Sequence, residues 1–301
     1  QRANFEEEYS GARLQGSYLA GVYYPDKTRV GWWKNGYPEY FAKVLNSVSW
    51  NQIKVTVDGE LIDLNQLDPI NFKRVLDMKS GLLTRRYSVK TSKGIVLDFE
   101  WTRFVSMKRK NVGVVALKLK ASADCKIQVQ SLLSGDVHNQ DSNYDEFFWQ
   151  DTQSGVEGNQ LWVTQKTKKT NFSVAASTLH TIYLDNNNYT STLHTSDLQA
   201  EAHFAFHLGA DQEVELHKFT SVCSSMYILE SELLKTAHSE AQEAKEDGIA
   251  LLTTEHSEEW GAIWHNCDVE IEGDDEAQQS IRFNIFQLFQ TYTGDDSRLN
   301  I

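Results

Sequence analysis

Three cysteines in 301 residues, Cys125, Cys223 and Cys267, stand far apart and at no metal-ligand spacing. That scarcity excludes a disulfide framework and a zinc knuckle, and idle thiols in a reducing compartment account for it. No long uncharged apolar run is present, so no segment reads as a membrane-spanning helix. No basic stripe exists that could neutralise phosphates, which disfavours nucleic-acid binding. Internal repeats and low-complexity tracts are also missing. Ser88, Ser134 and Ser221 lack the strand–turn–helix context of a nucleophile elbow, so serine hydrolase chemistry has no support. What the chain does have is length for a large core and a big aromatic store of 8 Trp, 12 Tyr and 14 Phe.

Its net charge of −13 is local. Residues 230–276 carry fifteen Asp or Glu against Lys235 and Lys245, which equals the whole excess. A solvated helix face explains this stretch, with an acidic recognition surface as the alternative.

Strands dominate to about Cys223. Residues 54–57 and 60–62 flank Asp58-Gly59, a dipeptide suited to the positive φ angles of a type I′ hairpin turn. Residues 83–89 and 95–104 form a second hairpin around 91–94. Further short strands are expected over 112–119, 126–133, 161–167, 172–179, 203–208 and 213–219. Regular short strands with turns between them predict antiparallel sheets packed face to face, as a large two-sheet β-sandwich. After Cys223 the period changes. Ile228, Leu229, Leu233, Ala237, Ala241 and Ala244 recur at helical spacing up to Asp247-Gly248. A second helix is expected from Ile249 to Trp264, with Trp260 and Trp264 on one face. Val269 and Ile271 suggest a brief extended piece. The expected organisation is a sandwich over 1–225, an acidic helical linker over 226–273, and a new helical unit over 274–301.

That last unit begins with Asp274, Asp275 and Glu276, where a helix N-terminus favours acceptors and negative charge. Ile281, Ile285, Leu288, Phe289 and Tyr292 then follow the helical period, and Phe283 and Phe286 widen the apolar face. Such a helix needs a large partner surface. The chain is therefore expected to be part of a longer protein that holds the chemistry further on.

The run IRFNIFQL from Ile281, then QTYTG from Gln290 and RLN from Arg298, resembles the first catalytic-domain helix of glycoside hydrolase family 65. So do QRANFEE from Gln1, GSYLAGVY from Gly16, LDMKSGLL from Leu76, and Trp260 with Trp264 ahead of DVEI from Asp268. These matches cover nearly the whole chain in one order. The family includes maltose, kojibiose and trehalose phosphorylases, and GWWKNGYPEY from Gly31 is most similar to the maltose phosphorylases. The resemblance implies a supersandwich of the galactose mutarotase type, two linker helices and a truncated (α/α)6 barrel. It implies inverting phosphorolysis of an α-linked glucose disaccharide, maltose and phosphate giving glucose and β-glucose 1-phosphate. One Glu would protonate the leaving oxygen while phosphate attacks from the opposite face. That Glu and the phosphate ligands lie downstream in the family, so no catalytic residue can be assigned here and the chain alone is expected to be inert. No metal or organic cofactor is implied, phosphate being a co-substrate. A homodimer in the cytoplasm is expected. Residue 1 reads as lying inside a domain, so a secretory signal upstream stays open.

Candidate rim or barrel-interface residues are Arg2, Asn4, Trp32, Trp33, Lys34, Asn35, Arg282, Asn284 and Arg298. Two adjacent Trp in a strand face opposite ways, so one ring of Trp32 and Trp33 is expected outside the core. Domain-interface packing, pocket lining and ordinary core are its three possible roles. Arg282, Asn284, Gln290, Asp295 and Arg298 suit hydrogen bonding within a barrel. Other clusters read more plainly. Asp136, His138, Asn139, Asp141 and Asp145 suit a polar loop better than a metal or acid–base site. Asp145 and Glu146 beside Phe147, Phe148 and Trp149 resemble a sugar-binding edge, against which stands simple burial of the rings. His203 and His207 share a strand face without a third ligand nearby. Alternative functions are a free-standing carbohydrate-binding module, a folding and dimerisation scaffold, a kojibiose or trehalose phosphorylase domain, or an α-glucoside hydrolase domain.

Overall fold

A computed structural model describes residues 2–3, 16–29, 36–185 and 188–299. The strands are β1 (Arg2–Ala3), β2 (Ser17–Lys27), β3 (Tyr40–Asn46), β4 (Ile53–Val57), β5 (Glu60–Leu61), β6 (Ile70–Asp77), β7 (Leu82–Lys90) and β8 (Val96–Val105). They continue as β9 (Val112–Ala121), β10 (Cys125–Ser134), β11 (Trp149–Glu157), β12 (Gln160–Thr167), β13 (Ser173–Tyr183), β14 (Tyr189–Thr195), β15 (Gln199–Leu208) and β16 (Glu213–Ser224). A 3-10 turn at Glu230–Glu232 leads into α1 (Leu233–Cys267), and α2 (Asp275–Thr291) follows.

All pairing among the described strands is antiparallel. Eight strands form one sheet in the order β11-β12-β13-β16-β9-β8-β7-β6, five form a second as β14-β15-β10-β4-β5, and β1-β2-β3 make a third. The two-sheet sandwich read from the sequence is the centre of this fold, and the three-stranded sheet is an addition to it. That small sheet is tied on by Trp149 Nε1 of β11 donating to Asn46 O (2.7 Å) and by Tyr24 stacked on Phe148 at 4.1 Å. The Asp58-Gly59 turn joins β4 to β5 with φ of 48° and 90°, both positive as a type I′ hairpin needs.

Alternation explains which faces are buried. In β12 and β15 every second residue is buried, because one face meets the opposite sheet and the other meets water. β9 and β16 are buried on both faces, so they read as continuous apolar runs. Their inner residues Leu117, Leu119, Leu216 and Val222 join Ile127, Val129 and Phe204 of the facing sheet in the main core. Their outer residues Val112, Val114 and Phe219 meet Ala244 and Leu252 of α1. Each fully buried Leu or Val contributes about 1.5–3 kcal/mol relative to exposure. Ala237, Ala241 and Ala244 are wholly buried and small, which lets α1 lie close on the sheet.

The single helix α1 corresponds to the two expected ones, because Gly248 breaks it with φ 73° and ψ 167°. Below that break Arg109 braces both halves through Asp247 (2.7 Å) and Glu255 (2.9 Å). The expected extended piece at Val269 and Ile271 forms no strand. Its backbone bonds instead go to side chains: Gln278 Oε1 accepts from Ile271 N–H (2.7 Å), Gln278 Nε2 donates to Val269 O (2.8 Å), and Asp268 Oδ1 accepts from Val269 N–H (3.0 Å). Asp274 caps α2 by accepting from Ala277 N–H (2.9 Å). Neither helix is long and apolar enough to cross a membrane.

Candidate cavity between the sandwich and the C-terminal helices

The turn between β6 and β7 brings Gly81 beneath the second half of α1. An added Cβ there would lie 2.1 Å from Trp260 Nε1 and 2.5 Å from His256 Nε2. Backbone therefore meets ring at this point. Trp260 is fully buried, stacks on Phe286 of α2 at 4.3 Å and lies 6.1 Å from Trp264. Trp264 Nε1 donates to Met78 O (2.7 Å). His256 is also buried and uses both ring nitrogens. Met107 N–H donates to its Nδ1 (3.1 Å), so Nε2 carries the proton and donates to Gly81 O (3.1 Å). Burial lowers the imidazole pKa, only partly offset by the Gly81 carbonyl.

Beside this aromatic joint lies a cavity of about 980 Å³, lined from β2, β6, β7, β8 and the turn after it, β16, both helices and residues 292–299. Its size falls at the upper end of ordinary ligand pockets. Glu240 of α1 projects into the seam on the same helical face as Ala237, Ala241 and Ala244. It accepts from Ser221 Oγ (2.6 Å) and Asn111 Nδ2 (3.0 Å). Near it, burial pushes the Cys223 thiol up to about 12, so this sulfur is inert.

At the mouth, residues 292–299 fold back onto the sandwich. Arg298 grips Asp296 through Nε (2.9 Å) and Nη2 (2.7 Å), and its guanidinium lies 5.5 Å from the Tyr227 ring centroid. That side-chain pair holds the Asp296 carboxyl far below the usual carboxylate range. Asp295 is likewise lowered, first by Lys110 and then by Thr293. A general acid needs its carboxyl raised toward the working pH. Asp295 and Asp296 are shifted the wrong way for that role.

Of the expected site residues, Arg298 lines the cavity together with Gln290 and Asp295. Arg282 does not; it makes a two-pronged bond to Asp268 (2.8 and 2.7 Å) on the surface. Asn284 is exposed on α2. Arg2 is placed through its backbone only, paired with Tyr18 in the small sheet. Asn4, Trp32, Trp33, Lys34 and Asn35 lie outside the described residues. The polar loop at 136–145 is fastened to β3, with Asn139 accepting from Asn46 N–H (2.8 Å) and donating to Val44 O (3.0 Å). Phe148 and Trp149 are buried, whereas Phe147 stays exposed. His203 bonds Glu201 (2.7 Å), and no group of three or more metal-ligating side chains occurs among the described residues.

Comparison with known proteins fits this architecture. Residues 1–263 match the sequence model of the Glycosyl hydrolase family 65, N-terminal domain. The chain is 40% identical over 302 residues to maltose phosphorylase of Bacillus subtilis (strain 168), covering 100% of the chain and 39% of that protein. It is 32% identical over 323 residues to alpha,alpha-trehalose phosphorylase of Thermoanaerobacter brockii, covering 100% of the chain and 40% of the relative. A solved structure of a protein assigned as a kojibiose phosphorylase, from the human microbiome, superposes with a TM-score of 0.86 over 100% of the chain and 39% of its own, at 24% identity. That last likeness speaks for the fold alone. The chain thus spans about two fifths of the length of the curated relatives it matches. By the family model and by these identities, the chain belongs to glycoside hydrolase family 65, in the region of that family's N-terminal domain.

Proposed function

We propose that this chain is the non-catalytic N-terminal part of an inverting disaccharide phosphorylase, most like maltose phosphorylase. The observation that carries this reading is 40% identity to a maltose phosphorylase along the whole chain. The parent reaction is maltose and phosphate giving glucose and β-glucose 1-phosphate, without a metal or organic cofactor. The sandwich supports a helical catalytic domain and shapes the rim of its pocket. Two features favour that role. Only Phe286 of α2 is fully buried, while Phe283 and Leu288 are 45% and 48% exposed, so this helix keeps apolar surface for a neighbour. The carboxylates at the cavity mouth are paired with Lys110 and Arg298 and are not poised to give a proton. We place the enzyme in the cytoplasm as a homodimer.

The test is an assay of the intact protein with maltose, with and without inorganic phosphate, following glucose and β-glucose 1-phosphate. Equimolar release of both, only when phosphate is present, is the expected result. Glucose release independent of phosphate would make the protein an α-glucoside hydrolase. Turnover of trehalose or kojibiose in place of maltose would reassign the substrate.

A further inference from the structure

Between the two large sheets lies a lysine that is ion-paired to no carboxylate among the described residues. Lys218 is in β16, fully buried, on the inner face with Leu216 and Val222. Register puts His180 of β13 on one side of it and Val115 of β9 on the other. Across the interior its Nζ donates to Leu132 O (2.6 Å) and Gln52 O (3.2 Å). These carbonyls sit where β10 and β4 part company. Their ladder ends at Ser131 and Ile53, beyond which Leu132 N–H donates to Gln52 O (3.1 Å) and Ser49 bridges Ser134. The lysine thus reaches from the larger sheet to the loosened end of the β4–β10 ladder in the smaller one.

Its burial and its two carbonyl partners suit the neutral form. An ammonium group has three N–H donors, and the bonds found here number two. Charged, it would bury a net charge and a spare donor; as an amine, both its N–H groups are used. The groups facing it offer no compensation. β13 supplies His180, whose Nε2 lies 2.8 Å from Ser131 Oγ of β10. β9 supplies Val115, β16 itself supplies Leu216 and Thr220, and the segment before β4 supplies the Gln52 carbonyl. His180 is itself driven toward its neutral form, chiefly by burial.

We infer that Lys218 is held as an uncharged amine and acts as a proton-sensitive latch between the two sheets, closed when deprotonated. Burial lowers its pKa well below 10.5, and no other cause contributes. The folded protein therefore binds fewer protons than the unfolded chain. The stabilisation is fully present above pH 10.5 and is lost as pH falls toward the folded value. Cys125 and Cys223 act with the opposite sign above pH 9.0, being raised by burial.

The experiment compares Lys218→Met with the unsubstituted protein, so that the cysteine contributions cancel. Chemical unfolding is measured at intervals from pH 7.5 to 9.5. The ratio of the variant's unfolding constant to that of the unsubstituted protein should rise about tenfold per pH unit, one proton's worth. A ratio that stays level across this range means a charged Lys218 and overturns the inference. Should Lys218→Met fail to fold, nitrogen-15 spectra of lysine Nζ in the unsubstituted protein at pH 7.5 decide the matter. A neutral-amine resonance that vanishes on unfolding in urea supports the latch; ammonium resonances alone refute it.

Discussion

Replacing Gly81 with alanine perturbs two things at once, and the structure sizes each. Gly81 has φ of 73°, where an L side chain costs about 1–2 kcal/mol. Its new methyl would also lie 2.3 Å from Trp260 Cδ1, against a ring with no exposed surface and stacked on Phe286. Neither ring can swing away, so relief must come from backbone movement, at about 1–3 kcal/mol for such overpacking. Together Gly81→Ala should destabilise by about 2–5 kcal/mol. Gly59→Ala is the matched control: φ is 90° and nothing lies within 4 Å of its added Cβ, so it should cost about 1–2 kcal/mol alone. Urea denaturation followed by tryptophan fluorescence gives both values in the intact protein. Trp260→Leu then relieves one of the two contacts, and in that background the cost of Gly81→Ala should fall but stay above the control value, because His256 Nε2 still lies 2.5 Å from the added Cβ. Equal costs for the two glycine variants in the presence of Trp260 would refute the close approach.

His256 gives a pH prediction. Its neutral form accepts from Met107 N–H, and protonation at Nδ1 would set donor against donor. Because burial lowers its pKa below 6.5, the folded state binds fewer protons, and stability present above pH 6.5 declines as pH falls through the folded value. His180 and His238 are lowered too, so the acid side of the profile should steepen jointly. His256→Ala should cost about 1–3 kcal/mol at pH 8 by leaving Met107 N–H buried without its partner, and the difference should shrink below pH 6 in parallel unfolding curves. At the other helix, Asp274→Ala removes the cap on Ala277 N–H and should cost about 1 kcal/mol, read as faster amide exchange in the first turn of α2. Unchanged exchange there would show that tertiary packing, and not the cap, holds that end.

Much of this fold was legible because its central strands carry their burial in the sequence. β8, β9, β10, β12, β13 and β16 extend the expected segments by only a few residues at either end. β6 and β14 were not visible, since nearly all their residues are exposed and no apolar alternation marks them. β11 was hidden by a register shift between Gln150 and Gln153 that breaks its period. The cavity was harder to read. Arg298 was picked out, but Lys110 and Tyr227 come from distant turns that only tertiary packing brings together. Glu240 did leave a signal, a charge on the alanine face of a helix. Gly81 and His256 carried none that a single sequence could separate from a turn glycine and a helical histidine.

Gln278 has a wider mechanical meaning. One amide does the work of an absent neighbouring strand for Val269 and Ile271, so the elbow from α1 to α2 is fastened by a pair of side-chain bonds. One rotamer thereby helps to set the angle at which the second rod leaves the first. Shortening that one side chain would loosen the elbow, which the Arg282–Asp268 pair and the Trp260–Phe286 stack would still hold, while leaving both rods whole.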